Sequence, residues 1–276
     1  MRLIADSGST KVDWRILGDN GSLFEITTAG INPFFQSEEQ ICKELETSLK
    51  TVITEKIDEV HFYGAGVSGD KGELLKNCFK KIFPKSSAFA YTDLLAAARA
   101  LCGRKPGIAA ILGTGSNSCF YDGEKIADNV PACGFILGDE GSGAVLGKKF
   151  ISDFLKREIP EDLNFMFAEK YQLDYNSVIE RVYRQPFPNR FLSTFSLFLY
   201  GNITHPYVNS LLRNSFGEFI TRNILKYDFR QFPLNMVGSV AFYYREIITD
   251  VAAGYGVKIG TVLKSPIDGL VKFHRS

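Results

Sequence analysis

The stretch IADSGSTKVDW, residues 4–14, decides how this chain is interpreted. Its apolar run stops at Asp6, passes through small hydroxylated residues and a glycine, and resumes at Val12 and Trp14. An ionised carboxylate is costly to bury unless something pairs with it. The pattern predicts two strands joined by a small-residue turn, with Asp6 at the strand end, where it can meet a ligand.

Composition and charge limit the class of protein. A chain of 276 residues with 45% hydrophobic content can bury the cores of two ordinary domains. Because 32 Lys and Arg nearly balance 31 Asp and Glu, the chain lacks the basic excess typical of nucleic-acid binding. No apolar run approaches the length of about 20 residues needed to cross a bilayer, and the first residues do not form a secretory leader. We therefore expect no nucleic-acid or membrane partner, and a cytoplasmic protein.

The cysteines are scattered along the chain. They are odd in number and form no C-x-x-C pair, which favours buried free thiols over a metal or cluster site. The five positions are Cys42, Cys78, Cys102, Cys119 and Cys133.

Alternating strand and helix patterns indicate an α/β fold. The first third reads as a three-stranded meander, a helix with a capping box at Ser37 and Gln40, and then two strand–helix pairs ending at Gly103. The stretch IAAILGTGSNSCFYDG, residues 108–123, repeats the strand, small-residue turn and strand of the opening. This repeat predicts two related domains, residues 1–104 and 105–276, of which the second has a large helical portion.

Both turns are suited to phosphate chemistry. A carboxylate at a strand end can hold Mg²⁺ through its water shell, which fits Asp6. Gly8 allows close backbone approach to phosphate oxygens, and hydroxyls at Ser9 and Thr10 can donate to them. The second turn, at Thr114 and Gly115, has no following Lys and so is not a P-loop.

Two later glycine motifs can be structural or functional. GDEGSG, residues 138–143, places Asp139 and Glu140 before a helix, where acidic N-capping is an alternative to ligand binding. Gly238 and Ser239 end a strand and open a helix, where an adenine or ribose could pack on bare backbone. Close strand–helix packing explains the same residues equally well.

Taken in order, the four motifs resemble the sugar-kinase, Hsp70 and actin superfamily of ATPases. Within it the chain is most similar to N-acetylglucosamine kinases of the BadF/BadG/BcrA/BcrD-type ATPase family. The resemblance extends from residue 3 to about residue 255. It implies two ribonuclease-H-like domains around a nucleotide cleft, with ATP and Mg²⁺ as cofactors and an amino sugar as substrate.

The resemblance also implies roles for individual residues. Asp6 would hold Mg²⁺ through water, and Asp93 would be the catalytic base. The predicted ATP and phosphate contacts are Gly8, Ser9, Thr10, Thr114, Gly115, Gly238 and Ser239. The predicted sugar contacts are Asn32, Ser116, Asn117 and Asp139.

In this assignment Asp6 binds Mg²⁺ through water molecules, which leaves the carboxylate at the strand end and the metal outside the core.

Read from the residues alone, Asp93 has a second explanation. A lone carboxylate between an apolar strand and the Ala-rich helix LLAAARAL can simply cap that helix, whereas the resemblance favours the catalytic role.

The chain also departs from the family pattern. Many N-acetylglucosamine kinases carry Gly-Trp-Gly before their GDEG motif, and this chain has Ala132, Cys133 and Gly134, followed by Phe135.

The predicted activity is ATP-dependent phosphorylation of N-acetylglucosamine to its 6-phosphate, and several alternatives stay open. N-acetylmuramate or glucosamine could be the substrate. A dehydratase activator would need cysteines suitably placed for an iron–sulfur cluster, which the scattered cysteines do not offer. A sugar or nucleotide sensor without turnover is a further alternative. Exposed apolar faces of the helical portion would suit a homodimer.

Overall fold

The computed structural model describes residues 1–8, 11–33, 36–53, 56–67 and 69–275. The chain divides into two compact units. The first comprises Met1–Arg104 together with Ser265–Ser276, and the second comprises Lys105–Lys264. No helix in the described ranges combines the length and the apolar character that a membrane span requires.

The first unit contains a five-stranded sheet in the order β3-β2-β1-β4-β5. The first three strands form an antiparallel meander, and β4 and β5 run parallel to β1. The elements are β1 (Arg2–Ser7), β2 (Lys11–Leu17), β3 (Leu23–Ala29), α1 (Glu38–Leu45), β4 (Glu59–Gly64), α2 (Asp70–Ile82), β5 (Ser87–Thr92) and α3 (Asp93–Cys102). A π-helical turn, Glu46–Lys50, continues α1, and the predicted capping box at Ser37 and Gln40 is confirmed.

Both faces of this sheet are covered, because alternate residues of β1 point to opposite sides. Leu3 and Ala5 belong to a core shared with α1 and α2. Ile4 belongs to a separate core that includes Ala96 of α3. Asp6 follows the same alternation as Ile4, so its side chain lies on the face covered by α3.

A C-terminal helix, α13 (Ile267–Arg275), completes that second face. Ile267, Leu270 and Val271 pack with Ile4 and Tyr63, because their spacing places them on one side of the helix. The sequence analysis assigned these last residues to the second domain. The structure corrects this assignment, since the apolar side of α13 is buried in the first unit.

The second unit repeats the topology of the first. Its sheet has the order β10-β9-β6-β7-β8, in which β6, β7 and β8 are antiparallel and β9 and β10 are parallel to β6. The strands are β6 (Gly107–Leu112), β7 (Ser116–Tyr121), β8 (Ile126–Asp128), β9 (Leu234–Val237) and β10 (Ile259–Leu263). The repeat inferred from the two small-residue turns therefore extends to whole sheets.

The large helical portion predicted for the second domain lies mainly between β8 and β9. Its core is rich in Phe side chains, including Phe150, Phe167 and Phe198, whose rings contact one another. The helices of this unit are α4 (Gly134–Leu137), α5 (Gly143–Leu155), α6 (Glu161–Tyr171), α7 (Tyr175–Tyr183), α8 (Pro188–Ser193), α9 (Ser196–Gly201), α10 (Pro206–Arg222), α11 (Ser239–Tyr243) and α12 (Arg245–Gly254).

Two of the five cysteines form a disulfide, which corrects the expectation of free thiols at these positions. Cys42 of α1 and Cys78 of α2 are bonded, with 36 residues of separation in sequence. The cross-link joins two helices that cover the same face of the first sheet. It therefore closes a long loop around the core of the first unit.

Reducing this disulfide should lower the free energy of unfolding by about 3 to 4 kcal/mol, because the reduced unfolded chain regains the entropy of a 36-residue loop. Urea unfolding with and without a reductant measures the difference. The double variant Cys42→Ala/Cys78→Ala is the control, and its unfolding should not respond to the reductant. Equal unfolding midpoints for the oxidised and reduced native protein would contradict this expectation.

Candidate functional site

The first group of predicted site residues lies at the carboxyl edge of the first sheet. Asp6 is the penultimate residue of β1, with Asp13 of β2 directly opposite and Tyr63 of β4 on its other side. Asp93 directly follows β5, which runs parallel to β4. Because parallel strands place their carboxyl ends at one edge, Asp6 and Asp93 come together there, as the sequence analysis requires.

Negative charge accumulates at this edge. Burial, together with the charges of Asp13 and Asp93, raises the pKa of Asp6 to about 7. The Ser265 hydroxyl, 3.5 Å from Asp6 Oδ2, and the ammonium group of Lys11 act in the opposite direction. The Asp6 carboxylate is therefore poised to accept a cation or a proton near neutral pH.

The N-cap of α3 is Thr92 and not Asp93. The Thr92 hydroxyl accepts a hydrogen bond from the backbone N–H of Leu95 at 3.2 Å. Asp93 is the first residue of the helix and accepts from the N–H of Leu94 through Oδ1 at 2.8 Å. Burial raises the pKa of the Asp93 carboxyl.

Gly8, which follows β1, and Lys11, which begins β2, are joined through their backbones. Gly8 N–H donates to the Lys11 carbonyl at 3.0 Å. The Ser7 hydroxyl donates to the Ile31 carbonyl at 2.7 Å, which holds the neighbouring residue Asn32, a predicted sugar contact, beside the end of β1. The predicted phosphate contacts Ser9 and Thr10 lie outside the described residues.

The second group surrounds the turn between β6 and β7. Gly113 N–H donates to the Gly115 carbonyl at 2.9 Å and closes the turn. The first two N–H groups of α5, from Gly143 and Ala144, donate to the carbonyls of Gly113 and Thr114 at 2.8 and 3.0 Å. The turn is thus fixed against the N-terminus of α5.

Asp139 joins the same turn. Its Oδ1 accepts from the Ser116 N–H at 3.2 Å, so two predicted sugar contacts are adjacent in space. Burial raises the pKa of Asp139, the hydrogen bond from the Ser116 N–H opposes this, the charge of Glu140 adds to it, and the resulting pKa is about 6. The third predicted sugar contact, Asn117, follows Ser116, and its side-chain oxygen accepts from Asn129 at 3.0 Å.

The acidic N-capping alternative for the GDEG motif does not hold. Ser142 is the N-cap of α5, and its hydroxyl accepts from the Val145 N–H at 3.2 Å. Glu140 is buried and is bound by Arg222 and by Asn223 of the segment after α10. Glu140 therefore stabilises the fold from within, whereas Asp139 remains at the turn.

Gly238 also contacts this turn. Its φ is +125°, and a Cβ atom there would lie 2.3 Å from the Leu112 carbonyl oxygen and 3.2 Å from Gly113 N. Close packing therefore demands glycine at this position. Ser239, the next residue, is exposed at the start of α11, so the pair combines a packing role with an accessible polar side chain.

Comparisons with known proteins place the chain in a family. A solved candidate N-acetylglucosamine kinase from Porphyromonas gingivalis is 47% identical over 99% of this chain and 98% of its own, with a TM-score of 0.95. The chain belongs to the N-acetylglucosamine kinase-like family. The predicted family, its sugar-kinase class and the two-unit α/β fold are confirmed.

More distant structures share the fold of this kinase family member. A candidate N-acetylglucosamine kinase from Chromobacterium violaceum has a TM-score of 0.74 at 16% identity, covering 99% of this chain and 98% of its own. A candidate N-acetylmannosamine kinase from Listeria monocytogenes has a TM-score of 0.53 at 13% identity, covering 99% and 97%. No protein-family model and no curated protein matches the chain.

Sequence reasoning missed two residues at the Asp6 site. Asp13 looks like an ordinary outward-facing residue of a strand, and only the hairpin register places it opposite Asp6. Ser265 is 259 residues away in sequence and reaches Asp6 because α13 packs on the first sheet. The apolar spacing of α13 is the one signal that could have indicated this contact.

The residues at the first edge fit a hydrated Mg²⁺ ion. The charges of Asp13 and Asp93 act on Asp6, and Lys11, which is paired with Asp13 at 2.7 Å, supplies positive charge that also acts on Asp6. Oxygen ligands of this kind are those Mg²⁺ prefers. A divalent cation would offset the repulsion that raises the pKa of Asp6.

Replacing Gly238 by alanine should lower the free energy of unfolding by about 2 kcal/mol or more, because the new Cβ meets backbone and the φ is unfavourable. Urea unfolding measures the loss. Gly254→Ala is the matched control, since nothing lies within 4 Å of a Cβ at that position. If both variants unfold at the wild-type urea concentration, the packing role of Gly238 is wrong.

Proposed function

We propose that this protein transfers the terminal phosphate of ATP to an N-acetylated amino sugar, and that the sugar is N-acetylglucosamine, converted to its 6-phosphate. The observation that carries the proposal is the placement of Asp93. It is a half-buried carboxylate beside Asp6 at a sheet edge, in a chain 47% identical to a candidate N-acetylglucosamine kinase.

Asp93 acts as the general base of the proposed reaction. Its carboxylate accepts the proton of the sugar hydroxyl as that oxygen forms a bond to the terminal phosphorus of ATP. The bond between this phosphorus and the bridging oxygen breaks, and ADP leaves with the electron pair. Burial suits Asp93 to this role, because a raised pKa makes a carboxylate a stronger base.

Asp6 would hold Mg²⁺ through water, supported by the Ser265 hydroxyl that contacts its Oδ2. When bound, the ion supplies neutralisation of the charge on the transferred phosphate. Gly8 adds backbone that can approach phosphate oxygens closely. Phosphoryl transfer depends chiefly on such positioning and neutralisation, which is what this edge of the sheet offers.

The second unit contributes the remaining contacts in this proposal. Thr114, Gly115 and the Gly238–Ser239 pair would bind the nucleotide. Asp139 and Ser116, joined by a hydrogen bond, would bind the sugar. Backbone hydrogen bonds from α5 fix the turn that carries Thr114 and Gly115, so little ordering of this turn is required when the nucleotide binds.

N-acetylmuramate is the second candidate substrate, because the loop before Asp139 departs from the family pattern. This loop lacks the Gly-Trp-Gly of many N-acetylglucosamine kinases, so the surroundings of the sugar differ.

The dehydratase-activator alternative has less support. Cys42 and Cys78 are bonded to each other, and in the described part of the chain no other cysteine belongs to a group suited to metal binding.

We expect ADP release with Mg²⁺ and ATP to be stimulated strongly by one N-acetylhexosamine. The panel is N-acetylglucosamine, N-acetylmuramate, N-acetylmannosamine, glucosamine, glucose and no sugar. Mass spectrometry of the product distinguishes phosphorylated sugar from simple hydrolysis. ADP release that is independent of sugar, or no release, would contradict the kinase proposal and favour the activator or the sensor.

Asp93→Asn should lower kcat by about 10²- to 10⁴-fold while leaving ATP binding nearly unchanged, because the amide cannot accept the proton. Steady-state kinetics and nucleotide titration provide the two measurements. Asp70→Asn is the matched control, because Asp70 is likewise the first residue of a helix, α2. Turnover of the Asp93 variant at the wild-type rate would rule out the assignment.

A further inference from the structure

Two adjacent lysines of α5 make different contacts. Lys148 Nζ donates to the carbonyl of Phe135 at 2.5 Å. Lys149 Nζ is paired with the Glu218 carboxylate of α10 at 2.6 Å. Lys148 therefore connects α5 to the segment before Asp139, whereas Lys149 connects α5 to another helix.

The segment that Lys148 reaches is a closed loop, residues 132–138. Asp139 N–H donates to the Ala132 carbonyl at 2.9 Å, and Gly138 N–H donates to the Gly134 carbonyl at 2.7 Å. A Cβ at Gly138 would lie 2.1 Å from the Ala132 oxygen, so the closure is tight. The loop therefore ends on Asp139, and a shift of the loop would shift Asp139.

Phe135 of this loop packs against the core of the second unit, and the tip beyond it has few other supports. Ile136 and Leu137 are 73% and 75% exposed, so they contribute little packing that would hold the loop. The hydrogen bond from Lys148 is a charged one from a half-buried amine, and such bonds are stronger than neutral ones. Lys148 is thus a principal attachment of the loop to α5.

Lys148 also acts on Asp139 through its charge. The ammonium group lowers the pKa of Asp139, against the raising effects of burial and of Glu140. Burial and the neighbouring Lys149 lower the pKa of Lys148 itself, and Asp139, Glu140 and Glu218 raise it. These are the charged groups that act on the pair.

We propose that Lys148 is a positioning residue for the sugar, which fixes the 132–138 loop and thereby places Asp139. This inference rests on the proposed function, because it assigns Asp139 to the sugar. It adds a residue from α5 that none of the four motifs identifies as a sugar contact. Its effect should appear in sugar affinity and leave the chemical step unchanged.

Lys148→Met should raise the KM for the sugar about 10- to 100-fold, as expected when a hydrogen bond involving a charged group is lost. The kcat and the KM for ATP should remain within about twofold of wild type. Lys149→Met is the matched control and should leave the KM for the sugar unchanged. Lys148→Arg, which retains the charge and the donor, should restore part of the affinity.

The pH dependence of the KM for the sugar separates positioning from a general loss of structure. Asp139 binds in its ionised form, so sugar affinity falls as pH falls through its pKa, which is about 6 in the wild type. Without the Lys148 charge this pKa rises, and the loss of affinity should begin at a higher pH. Lys148→Gln, which keeps a donor without the charge, provides the same measurement if the Met variant does not fold.

Three results would overturn the inference. The first is a KM for the sugar within twofold of wild type in Lys148→Met, and the second is an equal rise in Lys149→Met. The third is a uniform loss of kcat and ATP affinity, which indicates general damage. An active wild type with any of these results refutes the Lys148 role alone, whereas a wild type that phosphorylates no sugar in the panel refutes the proposed function as well.

Discussion

The repulsion among carboxylates at the end of β1 is the constraint on which the first unit depends. The charges of Asp13 and Asp93 act on Asp6 near the end of β1, and burial strengthens the effect by excluding water. Like charges directly opposite in an antiparallel pair destabilise a sheet. The fold tolerates them because Lys11 and the Ser265 hydroxyl stabilise the charged form of Asp6.

This constraint explains why the packing of α13 on the first sheet matters for the carboxylate edge. The helix buries its own apolar side against the first sheet, and the residue just before it, Ser265, contacts Asp6. One structural element thereby supports both the core and the carboxylate edge. A site built on strand ends gains precision in this way, because backbone register fixes the residues and a packed helix limits their movement.

The second unit uses the same topology under a different constraint. The turn between β6 and β7 carries no carboxylate. The constraint there is the close approach of backbone segments to one another. Gly238 can pack on Leu112 and Gly113 only because it has no side chain. Asp139 adopts a left-handed φ of 54°, which is uncommon for a residue other than glycine and costs free energy that the surrounding hydrogen bonds must offset.

Local features could be predicted from the sequence, and long-range ones could not. The hairpin turns and the capping box depend on neighbouring residues, so the sequence contains the whole signal. The Cys42–Cys78 bond and the Ser265–Asp6 contact join residues far apart, and no local pattern predicts which residues meet. Asp13 was missed because alternating polar residues are normal in a strand, and only the register gives it a role.

The carboxylates of the first unit and Asp139 of the second unit also differ in how firmly the fold fixes their positions. Asp6 and Asp93 are set by strand ends in a sheet, so any chain with this fold can present carboxylates there. The loop before Asp139 depends on the attachment by Lys148 and on a left-handed residue, Cys133, with a φ of 61°. Its exposed residues, Ile136 and Leu137, can change without disturbing the core of the second unit. The fold therefore constrains the type of reaction more strongly than it constrains the identity of the sugar.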